Sequence, residues 1–315
     1  MDTVFYNGKI YTQNPAVPEC SALAIKKGVI IAAGSDEEIL PMAGEQTKKI
    51  DLEGKLMLPG FVDTHMHVLF YAQLADMIDL STAQSFEDVR SLFKARIQDG
   101  TSHGCGWIQG IGFNQDYWKE KKIPTRMDLD SISTEIPLTI RRACYHITVC
   151  NTKAMELMGL MSETHESTSI NMGFYSDGTP DGLLKEDSQN LVSKALPVPT
   201  VSDLKQMILR TCEDAAAQGI TEIHTDDFEV LPGDFGRTIM QAYKELSEED
   251  LLPVRIYQQC SLWSMEALNT FLSDGHFSSE SFGFYRLGPL KEKPRLYSRG
   301  ECQKRLRVRM TLGKG

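Results

Sequence analysis

The sequence predicts an α/β chain in which a small β domain leads into a parallel sheet covered by helices. Three observations carry this expectation. Residues 4–58 read as short strands, VFYNGKIYT, then SALAIKKGVIIAAG with a Lys27-Gly28 turn between alternating apolar residues, then KKIDLEGKLMLPG. After Pro59-Gly60 the apolar spacing lengthens to a helical period, with capping residues ahead of it. From there strand-like and helix-like stretches alternate, the pattern of strands joined by crossover helices.

Taken in order, Ser85 with Asp88 makes a capping box before Phe86, Val89, Leu92, Phe93 and Ile97, and Gly100 closes that helix. Trp107 to Gly112 and IPLTIRRACYH, 136–146, read as buried strands. Asn151 caps a short helix ending at Gly159, and a polar loop follows to about Gly182. Thr200 with Asp203 caps a helix through Leu204, Ile208, Cys212 and Ala216 that stops at Gly219 and feeds the strand ITEIHTD. Helices near 235–246 and 264–272 precede the strands PVRIYQQ and FGFYRLGPLK. Six barrel-type strands therefore begin near residues 61, 107, 137, 220, 254 and 284. The expected divisions are a β domain over 1–58, a partial barrel over 59–291 and an aberrant basic tail over 292–315.

Composition narrows the function classes. With 41% hydrophobic residues in 315, the chain can bury a sizeable core. No run approaches the roughly 18 apolar residues that span a bilayer, and MDTVFYNGKI lacks signal-peptide organisation, so a soluble, cytoplasmic protein without membrane partners is expected. Seven scattered cysteines without CxxC spacing read as reduced thiols. Residues 289–315 hold nine Lys or Arg against two Glu, which leaves 24 basic and 41 acidic side chains before them, a net of −17. That acidic body argues against nucleic-acid binding, although a basic tail is a feature some nucleic-acid binders share.

The chemistry starts in LPGFVDTHMHVLF, Leu58 to Phe70. On an extended strand Asp63, His65 and His67 share one face, and two imidazoles side by side suggest a divalent metal at the C-terminal end of a barrel strand. The alternative is a pair of surface or hydrogen-bonded histidines. Catalytic zinc normally takes three protein ligands and keeps one position for water, so other ligands must come from elsewhere. His103, His165 and His276 lie in loop-like text and are assigned no role.

LEGKLMLPGFVDTHMH, WIQGIGFNQDYW, IPLTIRRACYHITVCNTKAM, DGTPDGLLKE, GITEIHTDD, LPVRIY and YRLGPLK, in that order, resemble the amidohydrolase superfamily, and more narrowly its YtcJ-like amidohydrolase 3 group, which includes N-substituted formamide deformylase. The resemblance implies an α/β fold, a TIM (β/α) barrel preceded by a small β-sandwich-type domain. It also implies hydrolysis of a non-peptide C–N bond, an amide or N-formyl group, in a small-molecule substrate, with zinc the expected metal. By this resemblance His65 and His67 bind the metal, and Lys291 stands where such enzymes place a lysine that can be carboxylated. A lysine must be neutral to react with carbon dioxide, a form that burial favours. A surface lysine is the other reading. His146, Glu186 and His224 fall on family positions facing the substrate pocket, with Trp107 a further pocket candidate that would more often fill core. His224 is the alternative third ligand if Lys291 is not one.

After Lys291 the resemblance ends. The family pattern continues with further histidines and a catalytic aspartate, whereas this chain reads EKPRLYSRGECQKRLRVRMTLGKG. The expectation is a C-terminally truncated, incomplete barrel with open edges, poorly stable and lacking activity. The alternative is a non-catalytic fragment that binds a partner.

Overall fold

The computed structural model describes residues 1–100, 106–161, 171–231, 233–234, 236–262 and 264–291. The tail 292–315, His103 and His165 lie outside the described residues. The chain divides into two compact units, one of Met1–Asp63 with Gln218–Glu222, the other of Thr64–Ala217 with the chain from Ile223 onward.

The first unit is β-rich: β1 (Thr3–Tyr6), β2 (Lys9–Asn14), β3 (Val17–Cys20), β4 (Ala22–Lys26), β5 (Val29–Gly34), a short helix α1 (Asp36–Ile39), β6 (Lys48–Asp51) and β7 (Leu56–Met57). They form a four-stranded sheet in the order β5-β4-β1-β6 and a three-stranded one in the order β3-β2-β7. The hairpin β4–β5 turns at Lys27 and Gly28, both at positive φ (51° and 76°), the geometry whose twist suits a two-residue hairpin. Val4, Ala22, Ala24 and Ile39 form this unit's core. A capping box starts α1: Ser35 Oγ accepts from the Glu38 N–H, while the Glu38 carboxylate accepts from the Ser35 N–H.

The strand β8 (Phe61–Met66) carries the chain out of the first unit. Then come α2 (Val68–Asp76), β9 (Ile78–Asp79), α3 (Phe86–Gln98), β10 (Ile108–Phe113), α4 (Arg126–Asp130), β11 (Leu138–Arg142), β12 (Ile147–Cys150), α5 (Thr152–Leu157), β13 (Met172–Phe174), β14 (Pro180–Lys185) and α6 (Asn190–Ala195). The last stretch holds α7 (Val201–Ala217), β15 (Ile220–Thr225), α8 (Arg237–Glu248), β16 (Arg255–Ser261), α9 (Met265–Ser273), β17 (Ser281–Phe282) and β18 (Tyr285–Lys291).

All six expected barrel strands are present, but they do not share one sheet. β8, β15, β16 and β18 lie in a five-stranded sheet ordered β17-β18-β16-β15-β8, in which β16 and β18 are parallel. The strands near 107 and 137, β10 and β11, belong to a separate six-stranded sheet ordered β13-β14-β12-β11-β10-β9. That sheet is mixed: β9, β10 and β11 are parallel neighbours, while β12, β14 and β13 pair antiparallel. The cause is local. Parallel strands need a long crossover, whereas a short turn forces antiparallel pairing. Here β11 and β12 are separated only by Ala143 to His146, and Tyr145 takes φ 64° to close the turn. The stretch expected as loop up to about Gly182 supplies β13 and most of β14.

The capping residues perform as the sequence suggests. Ser85 accepts from the Asp88 N–H at 3.2 Å and Thr200 from the Asp203 N–H at 3.2 Å. Asn151 is fully buried with its amide completely used: Oδ1 accepts from Leu138 and Ala154 N–H at 2.9 Å, and Nδ2 donates to the Ser133 and Ile136 carbonyls at 2.8 Å. It starts α5 and fastens it to the first residue of β11. Phe93, Phe113, Trp118, Leu138 and Ile140 fill one core beside this sheet, and Trp107, Met155 and Leu184 another. Among the described residues no helix is long and apolar enough to cross a membrane.

Gly182 shows how closely the mixed sheet is fitted. At φ 88°, a Cβ there would fall on the Cys150 carbonyl oxygen and the Arg126 backbone, whereas Gly178, at φ 84°, faces open space. Gly182→Ala is expected to cost ~2 kcal/mol or more in urea denaturation, from overpacking added to backbone strain, and Gly178→Ala only ~1 kcal/mol, from strain alone.

Candidate functional site

The ends of four strands converge chemically in the second unit. His65 is near the end of β8 and His67 directly follows it; His224 is on β15 with Asp226 just beyond; Ser261 ends β16 and Lys291 ends β18. Alternation along β15 puts His224 and Asp226 on one face and Ile223 and Thr225, both fully buried, on the other.

His65 and His67 lie together, their ring centroids 5.4 Å apart and the planes at 87°. This is the side-by-side placement that the HxH spacing predicts. His67 Nδ1 sits 2.7 Å from the Asp226 carbonyl oxygen. A carbonyl can only accept, so Nδ1 carries a proton, and in the neutral ring Nε2 then keeps the lone pair, the tautomer in which a histidine can ligate a metal. The donor set therefore fits a metal as far as two imidazoles go. Among the described residues, no group of three or more His, Cys, Asp and Glu is placed to hold an ion.

Asp226, about 5% exposed, is the buried acid of this cluster. Its Oδ2 accepts from Lys291 Nζ at 2.7 Å, and its Oδ1 accepts from the Ser261 hydroxyl. The register that pairs Ser261 with Lys291 on neighbouring strands brings both donors to one carboxylate. Lys291 is thus an internal counter-ion here. A carbamate on the same nitrogen would set a second anion against Asp226 unless a cation lay between them. The His224 ring lies 4.9 Å from that of Tyr257 on β16, tilted at 55°.

His146 and Glu186 meet each other, on the mixed sheet. His146 Nδ1 is 2.9 Å from Glu186 Oε2, and the Glu186 N–H donates to the His146 carbonyl at 3.1 Å. Both side chains are more than half exposed. Trp107 is buried against Cys150, Met155 and Leu184 in the core. A groove of about 420 Å³ runs between α7 and α8, lined by Lys205, Leu209, Glu245 and Leu251, and contains none of these residues.

Sequence reasoning gives no role to Thr225, Asp226, Asp227, Tyr243 or Ser261. Asp227, fully buried, accepts from the Leu69 N–H at 3.0 Å, the Thr225 hydroxyl at 2.8 Å and the Tyr243 hydroxyl at 2.7 Å. Burial pushes its carboxyl above the ordinary range, while Tyr243, Leu69 and Thr225 pull it back. The signal available was Thr-Asp-Asp closing an apolar strand, where two acids have no reason to sit unless each has donors.

The amidohydrolase family model matches residues 48–289, well over half of the chain. The chain belongs to the amidohydrolase family. It is 27% identical over 258 residues to the YtcJ amidohydrolase of Bacillus subtilis (strain 168), covering 82% of this chain and 48% of that protein. It is 26% identical over 196 residues to an N-substituted formamide deformylase of Arthrobacter pascens, covering 62% of this chain and 36% of the other. A solved metal-dependent hydrolase of Pyrococcus horikoshii OT3, itself uncharacterized, aligns at TM-score 0.69 and 25% identity over 91% of this chain and 53% of that one. This amidohydrolase chain spans about half the length of the curated relatives it matches. Its fold is accordingly a mixed α/β one of the amidohydrolase TIM-barrel type with a β-rich N-terminal part.

The His146–Glu186 pair gives a titration. The hydrogen bond and charge of Glu186 raise the His146 pKa. A raised native value means that the pair favours the fold below the unfolded-state pKa and loses that contribution as pH rises through the native one. In an NMR titration of Glu186→Gln, the His146 pKa is expected to fall toward the ordinary histidine value; an unmoved pKa would show that the pair does not form in solution.

Proposed function

We propose that this chain derives from a metal-dependent amidohydrolase that acts on a non-peptide C–N bond, of amide or N-formyl type, in a small molecule. The observation that carries the reading is the paired His65 and His67 rings at a strand end, with the His67 tautomer set by the Asp226 carbonyl. Two relatives support the reaction class, an amidohydrolase and a deformylase of N-substituted formamides, and the similar solved metal-dependent hydrolase supports a metal.

On this reading His65 and His67 hold a divalent ion, zinc first, with Lys291 or His224 as the next ligand. A bound divalent ion would lower the pKa of a coordinated water and polarise the scissile carbonyl. The chain's own residues do the rest. Asp226 holds His67 through its carbonyl and Lys291 through its carboxylate, so one residue orients a ligand and neutralises the strand-end cation. His146 and Glu186, exposed and paired, are available to contact substrate, while Trp107 supports the fold from the core. A second reading, a non-catalytic chain that pairs with another polypeptide, draws on one observation: among the described residues no group of three or more His, Cys, Asp and Glu is placed to hold a metal ion.

Metal analysis of the purified 315-residue chain tests the reading. Lys291 is held by Asp226, and the described residues place no group of three or more His, Cys, Asp and Glu to hold an ion, so the next ligand is not in position and less than one zinc per chain is expected, with none after His65→Ala/His67→Ala. Zinc unaffected by the double substitution would overturn the assignment. One or more tightly held ions with amide hydrolysis would overturn the non-catalytic reading.

A further inference from the structure

The turn that follows the two histidines has no cap of its own. His67 occupies the N-cap position of α2 without a side-chain hydrogen bond to the helix, and the first amides of a helix need acceptors. They find them far along the chain. Val68 N–H donates to Thr225 Oγ1 at 3.1 Å and Leu69 N–H to Asp227 Oδ1 at 3.0 Å, across 157 and 158 residues. Between these two acceptors, the Asp226 carbonyl receives His67 Nδ1. Three successive residues at the end of β15 thus hold three successive residues after β8.

The arrangement is costly to keep. Asp227 is fully buried, and a buried carboxylate is tolerated only where donors match its lone pairs. It has three, and one of them, Tyr243, is itself buried and stacked on Tyr285 with centroids 5.0 Å apart and planes at 8°. An apolar side chain could fill the same volume at less cost. What only an acceptor can do is fix the Leu69 amide. The far end of α2 is fastened as well, Asp76 accepting from Arg210 at 2.7 and 3.0 Å.

We infer that Thr225 and Asp227 are positioning residues that cap helix α2 from a distant strand and thereby set the direction of the His67 imidazole beside His65. The role rests on the metal-centre reading above, and the experiment separates the two. Asp227→Ala, Asp227→Asn and Thr225→Val are prepared in the full chain. Cobalt(II) affinity is read by absorption, and the His67 tautomer of the metal-free protein by nitrogen NMR.

Loss of the cap is expected to weaken cobalt binding about 10–100-fold in Asp227→Ala, the range seen when a group supporting a ligand is removed. The population of the Nδ1–H tautomer is expected to drop in the same variant. Asp227→Asn, whose side-chain oxygen still accepts from Leu69, should recover most of both. Thr225→Val, nearly isosteric, should move both in the same direction by less, and it decides the matter if Asp227→Ala does not fold. Unchanged affinity and tautomer in the folded variants would overturn the inference while leaving the metal reading intact. If the parent chain binds no cobalt, the metal reading fails, and the tautomer alone decides whether the cap positions His67.

Discussion

The carboxylate of Asp227 is the point on which the second unit's strand ends depend. It lies without solvent exposure where α2, β15 and α8 meet, and accepts one hydrogen bond from each. Removing any donor would leave a buried carboxyl oxygen without its partner, a penalty larger than the net worth of the bond itself. The three elements therefore stay or move together. Because Leu69 and Val68 immediately follow His67, the same constraint governs where the candidate metal-binding pair can point.

The motif that announces the site and the residues that hold it are thus separated by about half of the chain. His65 and His67 are read from a strand's alternation, a local property. Their setting is not local. Asp226 supplies a carbonyl to one imidazole and a carboxylate to Lys291, and the parallel register of β16 with β18 is what delivers Ser261 and Lys291 to that carboxylate. A sequence lists these groups as isolated polar residues at the ends of apolar strands, and only pairing shows that each completes another's hydrogen bonding.

The same distinction explains what of the fold was legible. Elements announced by their own residues were read well: helices begun by Ser85, Asn151 and Thr200, closed by Gly100, Gly159 and Gly219, and a hairpin marked by Lys27-Gly28. The division into two sheets was not, because a strand's sequence states its burial but not its neighbour. IPLTIRRACYHITVC carries no Gly or Asn-Gly in the turn, and Tyr145 adopts the positive φ that such residues normally announce. The polar stretch up to about Gly182 reads as loop from its Gly and Asp content, yet β14 pairs with β12, and β13 with β14. The adjacency of His65 and His67 was legible from strand alternation; the pairing of Lys291 with Asp226 and of Asp227 with Tyr243 was not, since each has meaning only through the other.

That β8 and β15 are sheet neighbours, with the whole mixed sheet and its cores between them in sequence, fits the physics of chain closure. The entropy lost in joining two strand ends grows only slowly with the length of the connection, so a long intervening segment is tolerated if it buries its own apolar surface. This one does, around Phe93, Phe113, Trp118 and Ile140. What a long connection cannot supply is register, which must come from contacts where the strands end. The hydrogen bonds from Thr225, Asp226 and Asp227 to residues 67–69 are such contacts, and they explain why polar groups are concentrated at that junction rather than replaced by apolar ones. Side-chain acceptors and a carbonyl accept from one set of donors at one spacing, whereas an apolar seam would allow the strands to slide.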